Sequence, residues 1–245
     1  MTVMEKQKME KLAEGLGQEV RCIFDGEDPD KDVSSVLDSI CFRLVNRDFN
    51  RAWLEGMPHR GYLDLAVVYC IVREQEGAVA SISITDDIAG KLGLDERKLW
   101  ELAIENTPRM FPYNSFGIDD FLGIGTEKGS LLYALTTRQM RHGAGAVLYP
   151  GVLEEMYGKI GYPFYILPSS IHEVILLPDK EPAGTDVLAD LVQSVNDGMV
   201  AAREVLSYSV YRYEPDKGMF MAKEVHVEKR ETGTEGEEPD ESKPY

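Results

Sequence analysis

The stretch from 131 to 179, LLYALTTRQMRHGAGAVLYPGVLEEMYGKIGYPFYILPSSIHEVILLPD, constrains the fold more than any other part of the chain. Apolar runs at 131–135, 144–149, 164–167 and 174–177 are each cut off by turn-forming residues, and an amphipathic segment at 152–160 separates the second from the third. Short apolar runs bounded by turn residues read as strands, while apolar residues recurring every three or four positions read as a helix. The stretch therefore predicts strand, strand, helix, strand, strand. Strands joined by short turns pair antiparallel. The expected class is α+β: a mixed, mainly antiparallel sheet, flanking amphipathic helices, and a disordered acidic C-terminal tail.

Around this centre the chain divides into an N-terminal helix and acidic loop (1–32), a single mixed α/β domain (33–222) and the tail (223–245). The first helix is expected over 4–16, ended by Gly15 and Gly17. The acids between Asp25 and Asp30 lack the alternate spacing and closing Glu of a calcium loop. Residues 33–44 carry Val33, Val36, Leu37, Ile40, Cys41 and Leu44 at helical spacing, which predicts an amphipathic helix. The apolar run 62–72, a turn at Glu74-Gln75-Glu76-Gly77 and the alternating 78–84 predict a hairpin, although the first arm is also compatible with a helix. Thr85 or Asp86 caps a short helix to Lys91, and Asp95 caps a longer one over 96–106 that Pro108 ends. Residues 110–130 read as a long loop. Its Gly123-Ile124-Gly125 lacks both the GxGxxG spacing and the strand–helix context of a nucleotide site. A further helix carries Val187, Leu188, Leu191, Val192 and Val195, and a second hairpin spans roughly 206–221.

Charge narrows the function classes. The formal net charge is -17, so phosphate backbones are repelled and direct nucleic-acid binding is disfavoured. A basic protein partner, or imitation of nucleic acid, would use that charge. Cys22, Cys41 and Cys70 lie far apart with no metal-ligand spacing, so neither a zinc site nor a disulfide framework is expected, and no cofactor is called for. The charged N-terminus has no apolar core of a signal peptide, and no apolar run reaches the length of a membrane span. The expectation is a soluble, cytoplasmic protein, with oligomeric state left open.

Four segments carry a family resemblance: ENTPRMFP at 105–112, LYPGVLEEMYGKIG at 148–161, FYILPSSIHEVILLPD at 164–179 and VLSYSVYRYEPDKG at 205–218. Together they resemble a bacterial family, domain of unknown function 5688, found mainly in gut Firmicutes. The similarity covers roughly 33–220 and is most specific in LPSSIHEVILLPD; the first thirty residues match less well. It implies a single intracellular mixed α/β unit and carries no activity with it.

The polar residues that merit weighing are few. Ser169, Ser170 and His172 are the catalytic candidates, because a serine beside a histidine is the raw material of nucleophilic catalysis. Against this, no GxSxG elbow is present, and strand alternation would point Glu173 away from His172. Turn-shaping by the serines and local hydrogen bonding by His172 is the simpler reading. Arg138, Arg141 and His142 form a small basic cluster suited to a carboxylate or a phosphate, and with Glu173 they are the binding candidates. No metal site is expected. The leading functional expectation is a non-enzymatic binding or regulatory protein that engages a basic partner through an acidic surface. A hydrolase-like enzyme using His172 with Ser169 or Ser170 is the alternative, and a nucleic-acid-mimicking inhibitor is another.

Overall fold

Leu65–Gln75 (β3) is apolar at almost every position because both of its faces and both of its edges are covered. A computed structural model describes residues 3–25, 33–123, 130–180 and 184–226. In chain order the elements are Val3–Asp25 (α1), Ser34–Leu37 (α2), Ile40–Asn46 (β1), Arg51–Leu54 (α3), His59–Tyr62 (β2), β3, Ala78–Ser83 (β4), Asp86–Leu92 (α4) and Glu96–Met110 (α5). Then follow Tyr113–Gly117 (β5), Ile118–Phe121 (α6), Tyr133–Thr137 (β6), a 3-10 helix at Gly143–Leu148, Val152–Ile160 (α7), Phe164–Ser170 (β7) and Glu173–Pro178 (β8). Thr185–Met199 (α8), a second 3-10 turn at Ala202–Glu204, Val210–Glu214 (β9) and Gly218–Lys223 (β10) complete the described chain.

The class is α+β, and every strand pairing is antiparallel. In the first sheet β1 pairs one edge of β3, while β2 and then β4 share its other edge. The second sheet has the order β10-β9-β7-β8-β6-β5. The β3–β4 turn uses Glu76 and Gly77, both at positive φ, the twist-matched geometry of a two-residue hairpin.

One buried cluster draws on both sheets, with Phe42, Tyr69 and Ile71 from the first and Leu135, Phe164 and Tyr211 from the second. Each such side chain contributes about 2 kcal/mol by leaving water. Polar bonds tie the same two sheets. The Asp64 carboxylate accepts from Ser207 Oγ at 2.5 Å and from Tyr211 Oη at 2.7 Å, and Asn46 Nδ2 donates to the Leu206 carbonyl. The outer edge of β1 is closed by α5: Thr107 Oγ1 accepts from Phe42 N–H at 2.9 Å, and Asn106 Nδ2 donates to the Leu37 and Ile40 carbonyls.

Several expectations are corrected. Residues 33–44 form only one helical turn before β1 begins. β1 is buried on both faces, so its apolar residues imitate helical spacing. The expected strand at 144–149 is the 3-10 helix Gly143–Leu148. A Cβ on Gly143 would lie 2.3 Å from Thr136 Oγ1 and 2.5 Å from the His172 carbonyl, so only glycine lets the backbone press so close. The first helix runs through Gly15 and Gly17, because Leu16 and Val20 join the core and outweigh a glycine cost of about 1 kcal/mol. Pro108 sits inside α5 rather than ending it, and the expected loop at 110–130 contains β5 and α6. The first arm of the 62–84 hairpin is a strand. Most of the acidic loop before Val33 and all of the tail beyond His226 lie outside the described residues.

Candidate functional site

The sequence LPSSIHEV builds the tip of the β7–β8 hairpin, with Ile171 and His172 as the turn between paired Ser170 and Glu173. Ser170 is buried, and its hydroxyl accepts the His172 backbone N–H at 3.0 Å. The His172 carbonyl accepts from Thr136 Oγ1 at 2.8 Å. Its ring is held as well: Nδ1 accepts the His142 backbone N–H at 3.2 Å, which places the ring proton on Nε2, 4.0 Å from Glu204 Oε2. The His142 and His172 rings lie 5.5 Å apart.

The structure thus brings Ser170, His172 and His142 together, but as a relay of backbone contacts. The Ser170 hydroxyl does not bond the imidazole, so the pair lacks the nucleophile–base contact that acyl transfer requires. Glu173 is half-buried opposite Ser170 in the ladder, Arg138 is exposed, and the Ser169 side chain lies outside the described residues.

Behind His142 a cleft of about 50 Å³ opens where the reverse face of the first sheet meets the 138–143 turn. Strand alternation sends Phe42 and Leu44 to the core and Cys41, Arg43 and Val45 to this other side. Arg141 and His142 join Arg43, Cys41, Cys70 and Gln139 in its lining. His142 adopts a left-handed backbone, φ 49°. Burial, reinforced by the charges of Arg43, the neighbouring His172 and Arg141, pushes its imidazole down to about 3, so the ring stays neutral at ordinary pH. Burial also pushes the Cys41 and Cys70 thiols up, which keeps both protonated and unreactive. Cys41 Sγ lies 3.5 Å from Met110 Sδ, and Cys70 Sγ donates weakly to the Cys41 carbonyl at 3.6 Å.

Of the sequence candidates, Arg141 and His142 reach this cleft, whereas Arg138 and Glu173 are not among its lining residues. Arg43, Gln139 and the two cysteines were missed. The available signal was an arginine inside the apolar run ICFRLVN. Read as a helix, that run places Arg43 on the wet side, whereas in a strand covered on both faces it is buried.

A second surface feature belongs to α8. Leu188, Ala189 and Val192 pack on β7 and β9, and the opposite face leaves Val187 68% and Leu191 51% exposed. Asp186, Asp190 and Asp197 form a row along one side of these two apolar side chains. Lys223 answers Asp186 at 2.6 Å, and Tyr208 Oη donates to Asp197.

Among the described residues no group of three or more His, Cys, Asp or Glu is placed to hold a metal ion, and no helix is long and apolar enough to cross a membrane. No curated protein matches the chain. No solved structure matches it either. The model of a family of unknown function, DUF5688, matches residues 4–215, taking in the first helix that the resemblance had left out, and the chain belongs to that family.

Proposed function

We propose that this chain is a non-enzymatic binding or regulatory protein that engages a basic partner through its acidic surface. The observation that carries the reading is the outer face of α8, where exposed Val187 and Leu191 run beside a row of acids, Asp186, Asp190 and Asp197. An apolar stripe bordered along one side by acids is complementary to an amphipathic basic helix, whose leucine-type side chains cover the stripe while its lysines and arginines meet the acidic row. The 15 residues of α8 extend for about 22 Å, enough for several turns of such a helix. The net charge of -17 adds long-range attraction for a cationic partner. The non-enzymatic part is supported by the internal hydrogen bonds of Ser170 and His172 and by the burial that keeps the Cys41 and Cys70 thiols protonated. Imitation of nucleic acid would use the same charge but gives no role to the exposed apolar pair.

The test is calorimetric titration of the full chain with a synthetic amphipathic leucine–lysine helix at low and high salt. Binding should weaken as salt rises. Replacing Val187 and Leu191 together by serine should weaken it further by about tenfold, equivalent to about 1.4 kcal/mol. Equal binding by the serine variant, or no binding by the natural chain, would sink the reading.

A further inference from the structure

The cleft on the reverse face of the first sheet holds a positive charge that the fold itself does not answer. Arg43 lies in the middle of β1 and is 8% exposed. One guanidinium nitrogen donates to Ser83 Oγ at 2.8 Å, and no carboxylate among the described residues pairs with it. A buried cation without a counter-charge is costly, and an anion entering from solvent relieves that cost. Arg141 brings a second cation to the same lining.

Two more atoms there lack partners. Gln139 Oε1 and His142 Nδ1 are both buried without a hydrogen bond. The Gln139 amide is oriented by its nitrogen, which donates to the Met110 carbonyl at 3.3 Å, so the oxygen is left as an acceptor. A simple carboxylate satisfies Arg43 but offers nothing to Gln139. A ligand that fits both must carry an anionic group and a donor.

We propose that this cleft binds a short 2-hydroxycarboxylate of about glycolate size. Its carboxylate sits on Arg43, its hydroxyl donates to Gln139 Oε1, and its carbon lies against the apolar wall of Val72, Val79 and Phe111. The volume of about 50 Å³ admits roughly three or four water-sized groups, or a few bonded heavy atoms that pack closer than waters do. An ammonium group in the same place would meet Arg43 and Arg141, which favours hydroxyl over amine as the donor. A phosphate dianion requires more donors than this largely apolar wall supplies. The negative charge of the whole chain acts mainly through screened solvent, whereas Arg43 acts at contact in a poorly solvated cleft, so the local field decides. The proposal is independent of the α8 surface.

Calorimetric titration of the full chain with glycolate, and separately with acetate, provides the test. Glycolate should bind saturably, and acetate about tenfold more weakly, the worth of one hydrogen bond to a buried acceptor. Gln139→Met should bring the two ligands to equal affinity while keeping the protein folded. Arg43→Gln, checked by circular dichroism, should bind neither. Absence of saturable glycolate binding would overturn the proposal, as would unchanged binding by a folded Arg43→Gln variant. Equal affinity for acetate and glycolate in the natural chain would overturn the assignment of the hydroxyl.

Discussion

Arg43 and Arg60 sit on opposite edges of the same strand, paired in the ladder with Val68 and Val67 of β3, yet their surroundings differ completely. Arg60 is partly exposed and has its anion built in. Its Nε and one terminal nitrogen grip the two oxygens of Glu96 at 2.9 and 3.1 Å, its guanidinium lies 4.9 Å from the Trp100 ring centre, and Tyr69 Oη adds a third bond to Glu96 at 2.5 Å. Arg43 is buried and, among the described residues, its guanidinium meets a serine hydroxyl and no carboxylate. The first arrangement is internally complete and needs nothing from outside. The second is complete only when something enters the cleft. An arginine earns a functional reading from missing partners more than from burial alone.

The largest expected effect at neutral pH tests the complete side. Glu96→Ala strands the buried Tyr69 hydroxyl and frees Arg60, and should cost about 2 kcal/mol in urea denaturation, most of it from the tyrosine. Burial pushes the Glu96 carboxyl up, but hydrogen bonds from Arg60 and Tyr69 outweigh it and hold the group below its usual range. Its contribution is therefore present above the ordinary glutamate range and is lost as pH falls through the lowered folded value. A Glu96→Ala chain with unchanged stability at neutral pH would erase the contrast.

The incomplete side has its own pH signature. The imidazole of His142 is held down to about 3 in the fold but titrates near its ordinary 6.5 when the chain unfolds. The unfolded chain binds the extra proton between those values, so stability is full above about 6.5 and falls as pH drops toward 3, by up to about 1.4 kcal/mol per pH unit. His142→Asn, which tolerates the left-handed backbone, should flatten this slope between pH 6.5 and 4.5. An unaltered slope would show that other groups govern it.

The smallest effect is the sharpest, because it predicts opposite signs. Replacing Arg60 by methionine should lower stability by about 1 kcal/mol, since Glu96 loses its partner. The same replacement of Arg43, with no ligand present, should raise stability by about 1 kcal/mol by removing an unanswered buried charge. Thermal midpoints of the two variants read the difference directly. Shifts of the same sign would mean that Arg43 has an internal role equivalent to that of Arg60.

Much of the architecture was legible because it rests on local signals. α7 occupies 152–160 as its spacing requires, Asp95 caps α5 by accepting from Lys98 N–H, and both hairpins form where turn residues interrupt apolar runs. Two of the failures share one cause: complete burial. β1 and the 3-10 helix at Gly143–Leu148 are covered on every side, and without a wet face there is no period to distinguish strand, helix and tight turn. The candidate site suffered in the same way. His142, His172 and Ser170 were visible as residue types, but their joining through backbone N–H groups depends on Gly143 pressing against the hairpin tip.

By itself, the sequence determined the α+β class, most helix positions, the antiparallel hairpins and the acidity, since these follow from neighbours in the chain and from counted charges. Tertiary structure alone decided that β3 would be flanked on both edges, that Asp64 would meet Ser207 and Tyr211, and that Arg43 would face Gln139 and His142 in a cleft. Those meetings join groups up to 147 positions apart, and no local propensity encodes which distant partner a buried polar group will find.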